Sequence, residues 1–186
     1  LNSFLFLLYK GALFMQKQIK ILLTLLTTLI LAVACSSPNN PITGTDNANF
    51  SKLKKNWIND YGTGYELYNI TENSVESAGS YNGSPESVSY KISIEEIAWN
   101  SDNTSGIIYG KYTVNNNNKD YVGKYYAISF KGLTDSSVSI CAASKNIGTT
   151  ENPIYDSSAE TLDEAKTKFT EADGYFGYYS ACTVKQ

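Results

Sequence analysis

The stretch Ser87-Val88-Ser89-Tyr90-Lys91-Ile92-Ser93-Ile94-Glu95 alternates between apolar and polar residues without a break. A period of two matches the pleat of a β-strand, so Val88, Tyr90, Ile92 and Ile94 face a core and the serines, Lys91 and Glu95 face water. The same signal recurs on both sides. After the turn Gly62-Thr63-Gly64, residues 65–70 read as a strand, and 107–114 read as another, rich in β-branched and aromatic residues. Residues 115–120 form a polar turn and 121–130 return, which makes a long hairpin. Residues 137–143 alternate through Val138, Ile140 and Ala142, and 175–184 close the chain as a strand. Two places depart from this pattern. Phe50, Leu53 and Trp57 are spaced as on a helix. Thr161 with Glu164 makes a capping box, Leu162, Ala165 and Phe169 share a face, and Asp173-Gly174 stops the run, which predicts a short amphipathic helix before the last strand. Seven or eight strands at this spacing predict a mostly β fold. Because the connections read as tight hairpins, the expected architecture is an antiparallel meander closing as a small barrel, ahead of a sandwich.

Composition narrows the chemistry. The chain has 186 residues, 42% of them apolar and 18% charged, enough for one packed domain. Its formal charge of −3 and pI near 5.0 disfavour nucleic acid as a partner. All 15 basic residues are lysine, and there is no histidine. The usual general base and metal ligand is therefore missing, and so is the residue that clamps phosphate or carboxylate with two parallel hydrogen bonds. The expectation is a non-catalytic protein without a cofactor.

Near the start, Met15 is followed by Lys17, Lys20 and an apolar run over 21–34 that ends at Cys35, then by polar, chain-breaking residues. At 14 residues the run is short for a bilayer span, which needs about 20, and it has the layout of an export signal. Leu31-Ala32-Val33-Ala34-Cys35 resembles the lipobox of bacterial lipoproteins, with Ala32 where that family usually carries Leu, Val or Ile; such relaxed boxes are familiar in spirochaete lipoproteins. The resemblance implies cleavage before Cys35, diacylglycerol on its sulfur and a third acyl chain on its new amino group. Residues 15–34 are then a signal peptide, 35–49 a lipidated cysteine with a flexible tether, and 50–186 a single domain. Residues 1–14 read as a miscalled upstream segment. From Cys35 onward 12 lysines face 18 acidic residues, a net charge of −6. The expected location is the cell envelope, at the outer membrane through the lipid anchor, with exposure at the cell surface.

Trp57 near the domain start, the meander and the late helix together resemble lipocalin and calycin-like barrels. Lys55 stands where the lipocalin pattern has Gly, and the basic residue that such barrels pack over their Trp would here be a lysine. The segments 106–112 and 123–130 are also similar to parts of spirochaete surface lipoproteins. The resemblance covers roughly residues 50–186 and implies a barrel with a cavity for a small apolar ligand.

Among candidate site residues, Cys141 and Cys182 both fall in predicted strands of an exported protein. A disulfide between them is expected, with two buried free thiols as the alternative. Two thiols without histidine make a poor metal site. Glu95 and Glu96 are adjacent, point to opposite faces of a strand, and cannot form a catalytic pair. Residues 102–106 have the composition of a calcium loop but not its pattern, and read as a turn. Fourteen tyrosines follow residue 60. In the pairs Tyr125-Tyr126 and Tyr178-Tyr179, a strand would turn one ring to each face. Trp57, Tyr126 and Tyr178 are the candidate ligand-binding residues. Two functions follow: a tethered barrel that binds a small apolar ligand or a host molecule, or an adhesive, antigenic surface protein with a filled core. The Val, Ile and Ala on the inward faces of 88–94 and 138–142 lean toward the filled core.

Overall fold

The computed structural model describes residues 48–186. The upstream segment, the signal peptide, Cys35 and nearly all of the tether lie outside the described residues. The strands are β1 (Asn56–Asp60), β2 (Gly64–Ile70), β3 (Ser74–Tyr81), β4 (Ser87–Trp99), β5 (Gly106–Asn115), β6 (Tyr125–Lys131), β7 (Ser137–Ala142), the short β8 (Lys145–Asn146) and β9 (Tyr155–Asp156), and β10 (Ser180–Val184). Two α-helices, α1 (Phe50–Leu53) and α2 (Leu162–Lys168), and a 3-10 turn at Lys119–Tyr121 complete the described chain. Eight strands close a barrel in the order β1-β10-β7-β6-β5-β4-β3-β2, while β8 and β9 form a separate hairpin. Every neighbouring pair is antiparallel. The expected meander barrel, with a short helix before the last strand, is therefore what forms.

Residues that pair across strands share a face, so register locates the interior. Trp57, Tyr68, Ser77 and Tyr90 are successive partners around β1–β4, and all four are buried. On the other side Ile97, Ile108, Ile128 and Ala142 form a second row, and Cys182 faces Val138. Large side chains fill the barrel: Trp57, Tyr68, Ile92, Ile108, Phe130 and Ile140 are all less than 3% exposed. Gly110 belongs to the same inward pattern. A Cβ there would press on the Ser93 carbonyl oxygen and lie 2.8 Å from Ile92 Cδ1, so only glycine lets β4 and β5 approach this closely.

The long strand β4 keeps the alternation that predicted it, but shifts register after Lys91 and again between Ile94 and Glu96. The second bulge brings Ile97, rather than Glu96, to the inside and bends the strand around the barrel. The first helix is shorter than its spacing implied. It ends at Leu53, and Trp57 belongs to β1, with its indole N–H donating back to the Leu53 carbonyl at 2.8 Å. Phe50 and Leu53 are buried and cover the end of the barrel where the chain enters. The same end holds the turns 71–73, 100–105 and 132–136 and the C-terminus. Lys54 pairs with Glu72 across it, and Lys55 donates to the Asp135 carbonyl at 2.5 Å. Turns 61–63, 82–86 and 116–124 form the far end, and the long excursion 143–179 leaves from it and runs back along the outside of β5, β6 and β7.

Helix α2 begins at the expected cap: Thr161 Oγ1 accepts from the Glu164 N–H at 3.1 Å, while the Glu164 carboxylate reaches one residue beyond the cap and accepts from the Glu160 N–H at 2.9 Å. It packs outside β5 and β6, where Tyr109 and its partner Ala127 are buried on the outward face. Beyond it, Phe169 lies edge-on to Tyr126 at 6.2 Å and to Tyr175 at 5.1 Å. The last strand is shorter than expected: 175–179 are not strand, and pairing begins at Ser180.

Candidate functional site

The three candidate ligand-binding residues stand in three different surroundings. Trp57 is fully buried at the entry end, with the Lys55 ammonium 5.8 Å from its ring centroid. That lysine stands two residues before Trp57 in the chain. Tyr126 is 4% exposed and sits inside the barrel near the far end, whereas Tyr178 is 94% exposed on the surface.

Tyr126 is instead the hub of an aromatic cluster. It stacks on Tyr112 at 4.6 Å and 24°, and Tyr90 meets it edge-on at 5.3 Å. Tyr121 stacks on the outer side of Tyr112 at 6.1 Å, and the Tyr112 hydroxyl donates to the Ser157 carbonyl at 3.2 Å. The cluster therefore ties the barrel interior to the 143–179 excursion. Burial, more than neighbouring groups, raises the hydroxyls of Tyr90, Tyr112 and Tyr126 above the usual phenol range. The Tyr90 hydroxyl is buried without a hydrogen-bond partner of good geometry; the Ser77 side chain on the facing strand acts on it weakly, against the rise that burial imposes. Tyr90→Phe is therefore expected to leave stability unchanged or raise it by up to about 1 kcal/mol, where a bonded buried tyrosine would lose stability. Chemical denaturation of the two proteins reads the sign directly.

The expected disulfide does not form: Cys141 and Cys182 are both free and buried. Register explains why. Cys182 pairs with Val138 on the inward face, whereas Cys141 pairs with Ser129 on the outward face. The two thiols differ by one residue in parity and point to opposite sides of the sheet. Burial, and then Glu66, push the Cys182 thiol up to about 12, and burial raises Cys141 as well. Both thiols should resist alkylation in the native protein and react fully after denaturation. A native mass two hydrogens lighter, with no reactive thiol after denaturation, would restore the disulfide.

Other expected features are structural. Asp102 accepts from the Thr104 and Ser105 N–H groups at 2.9 and 3.1 Å and from the Ser105 hydroxyl, closing the turn before β5. These bonds hold its carboxyl below the usual carboxylate range. The bulge in β4 removes the strict alternation assumed for Glu95 and Glu96. Glu95 is exposed, and Glu96 pairs with Lys166 of α2 at 2.9 Å. Asp156 joins β9 to α2 by accepting from Lys168 at 2.8 Å and from the Tyr175 hydroxyl at 2.7 Å. Burial pushes that carboxyl up, but these donors outweigh it and leave it lowered.

The far end carries the exposed apolar surface. Tyr61 and Tyr81 sit at the tips of the β1–β2 and β3–β4 connections. Val114 and Val122 flank the turn between β5 and β6, and Ile147, Ile154 and Tyr155 lie on the β8–β9 hairpin. Tyr178, on the segment that covers the outside of β6 and β7, completes the large apolar side chains exposed among the described residues; none is at the entry end. In the hairpin the Ile147 N–H donates to the Ile154 carbonyl at 2.8 Å, so the two isoleucines are held side by side. Sequence reasoning singled out only Tyr178 of this set. It also missed Glu66, which shares the inward parity of Tyr68 and Ile70 in Gly64-Tyr65-Glu66-Leu67-Tyr68-Asn69-Ile70. A carboxylate on the inward row of a strand is the signal that could have found it. No helix among the described residues is long and apolar enough to cross a membrane. No family model matches this chain, and no curated protein or solved structure matches it either.

Proposed function

We propose that this chain is an envelope lipoprotein, anchored through lipid on Cys35, whose barrel is a filled, non-catalytic scaffold that presents its far rim to a protein partner at the cell surface. The observation that carries this reading is the segregation of exposed apolar side chains to the end opposite chain entry. Scattered single apolar residues are normal on a surface; a set confined to one end is the mark of an interaction site. Tyrosine suits such a role, since each ring buries a large area and keeps a polar tip. The tether joins the domain at the entry end, so the rim is the end left free to meet a partner. Two or three acyl chains give a durable anchor where one would be marginal. The filled interior supports recognition by the outer surface over a small apolar ligand in the barrel axis.

Two measurements test the reading. Labelled palmitate should be incorporated by the wild-type chain and lost in Cys35→Ala; incorporation by the variant removes the anchor. A photo-crosslinking amino acid at the Tyr155 position should trap a protein partner on intact cells, and the same group at the entry-end Asp135 position should not. The trapped species should disappear in an Ile147→Ser, Ile154→Ser double variant that still folds. Equal crosslinking from both positions, or none from either, would refute the rim.

A further inference from the structure

We propose that the far mouth of the barrel holds an organic ammonium group against the Glu66 carboxylate, beneath the rings of Tyr61 and Tyr81. The geometry starts from register. Glu66 on β2 is the partner of Gly79 on β3. Gly79 has no side chain, and Tyr81 folds into the space: a Cβ on Gly79 would lie 3.2 Å from Tyr81 Cε2 and 3.3 Å from its hydroxyl. The Tyr81 ring thus covers the residue directly opposite Glu66. Tyr61 stands beside it, with ring centroids 6.3 Å apart and planes inclined at 31°. Both rings remain about half exposed, at 46% and 54%, so the mouth is open to solvent on their side. The carboxylate is held in place from below and from the side. Glu66 Oε1 accepts from the buried Tyr68 hydroxyl at 2.8 Å, and Oε2 accepts from Ser180 Oγ on β10 at 2.6 Å.

What the arrangement lacks is a counter-charge. Eight lysines pair with carboxylates among the described residues, and none of them pairs with Glu66. Hydroxyl donors orient a carboxylate without cancelling its charge. Burial, and then Glu66 itself, raise the Tyr81 hydroxyl, so the negative field reaches the rings at the mouth. A partly buried anion beside two half-exposed tyrosine rings attracts a cation with apolar arms. Hard divalent cations are a poor fit, because they need six or more oxygen ligands, and the polar groups placed around this carboxylate are the Asn59 amide on the facing strand and two hydroxyls already spent as donors. An alkylammonium fits both features: its charge meets Glu66 and its carbons lie on Tyr61 and Tyr81. Such a group could arrive on a free amine or on a lysine side chain, and the chemistry recognised is the same.

The full chain in detergent, with its tyrosine rings isotopically labelled, can be titrated with n-butylammonium, tetramethylammonium, lysine amide acetylated at its α-nitrogen, and neutral tert-butanol. Saturable shifts of the Tyr61 and Tyr81 resonances are expected with at least one ammonium and not with tert-butanol. Glu66→Gln should weaken binding by about tenfold or more. Because Glu66 links β2 to β10, that variant can fail to fold. Tyr81→Leu, at the exposed mouth, then serves instead: it should weaken binding similarly, while Tyr81→Phe, which keeps the ring face, should retain it. Binding of the lysine derivative without tetramethylammonium identifies a primary ammonium as the source, and the reverse identifies a quaternary one. No saturable shift with any ammonium, equal binding of tert-butanol, or unchanged affinity in a folded Glu66→Gln or Tyr81→Leu protein would overturn the proposal. The result is independent of the partner reading of the rim, which stands or falls on crosslinking at Tyr155.

Discussion

Trp57→Ala is expected to lower the free energy of unfolding by about 3–5 kcal/mol. The indole is fully buried at the entry end of the barrel, so truncation removes its transfer free energy and leaves a cavity between β1 and β2. It also breaks the bond from the indole N–H to the Leu53 carbonyl, which holds α1 over the barrel end. With total stabilities of about 5–15 kcal/mol for domains of this kind, the loss is a large share of the whole. Trp57→Phe keeps most of the volume and loses the hydrogen bond, and should cost about 1–2 kcal/mol. The denaturation midpoint should therefore fall in the order wild type, Trp57→Phe, Trp57→Ala, with similar slopes. A Trp57→Ala midpoint within experimental error of wild type would show that the entry end does not depend on this side chain, and the packing described for α1 would be wrong.

Alkaline unfolding should be steep. Tyr68, Tyr90, Tyr112 and Tyr126 are held neutral well above the usual phenol range, chiefly by burial. In the unfolded chain each phenol ionises near pH 10. Above that pH the unfolded state has released protons that the folded state still binds, so stability is fully present below pH 10 and falls as pH rises. Each buried phenol contributes a slope of about 1.4 kcal/mol per pH unit, and four together give about 5 kcal/mol per unit. The barrel should then unfold cooperatively within one to two units above pH 10. Phenolate absorbance near 295 nm should rise in step with the loss of the β-sheet circular dichroism signal. Smooth ionisation of every tyrosine near pH 10, with the sheet signal intact, would contradict the packed tyrosine cluster.

The parts of the fold that could be read in advance are those where local pattern and burial coincide. The alternation at 87–95 gave β4, and the Thr161–Glu164 box placed the start of α2, because each signal depends on neighbours within a few residues. The strand Ser74–Tyr81 escaped notice because its inward row is carried by small residues, Ser77 and Gly79, and not by a run of large apolar ones. Trp57 was placed with a helix because its spacing from Phe50 and Leu53 fits one, but pairing with Tyr68 and Val184 in the closed sheet overrides that spacing. The segment 175–179 has strand-like residues yet stays out of the sheet. It covers the outside of β6 and β7 instead, where the Tyr179 hydroxyl lies 2.9 Å from Ser129 Oγ and the Ser144 N–H donates to the Tyr175 carbonyl.

The sequence by itself determined the class of this protein: a mostly antiparallel β domain with a helix before its last strand, without histidine or arginine chemistry. Those properties follow from composition and from periods of two and 3.6, which act over short separations. Tertiary structure alone decided everything that depends on register. It put Cys141 and Cys182 on opposite faces of the sheet and turned Glu66 into the barrel mouth beside Tyr81. It also buried Tyr126 while leaving Tyr178 in solvent and gathered the exposed apolar side chains at one end. The physical reason is that a shift of one residue in strand pairing exchanges the inside and outside of every side chain. Closure of the barrel fixes that shift through contacts between residues distant in the chain, such as Trp57 with Val184.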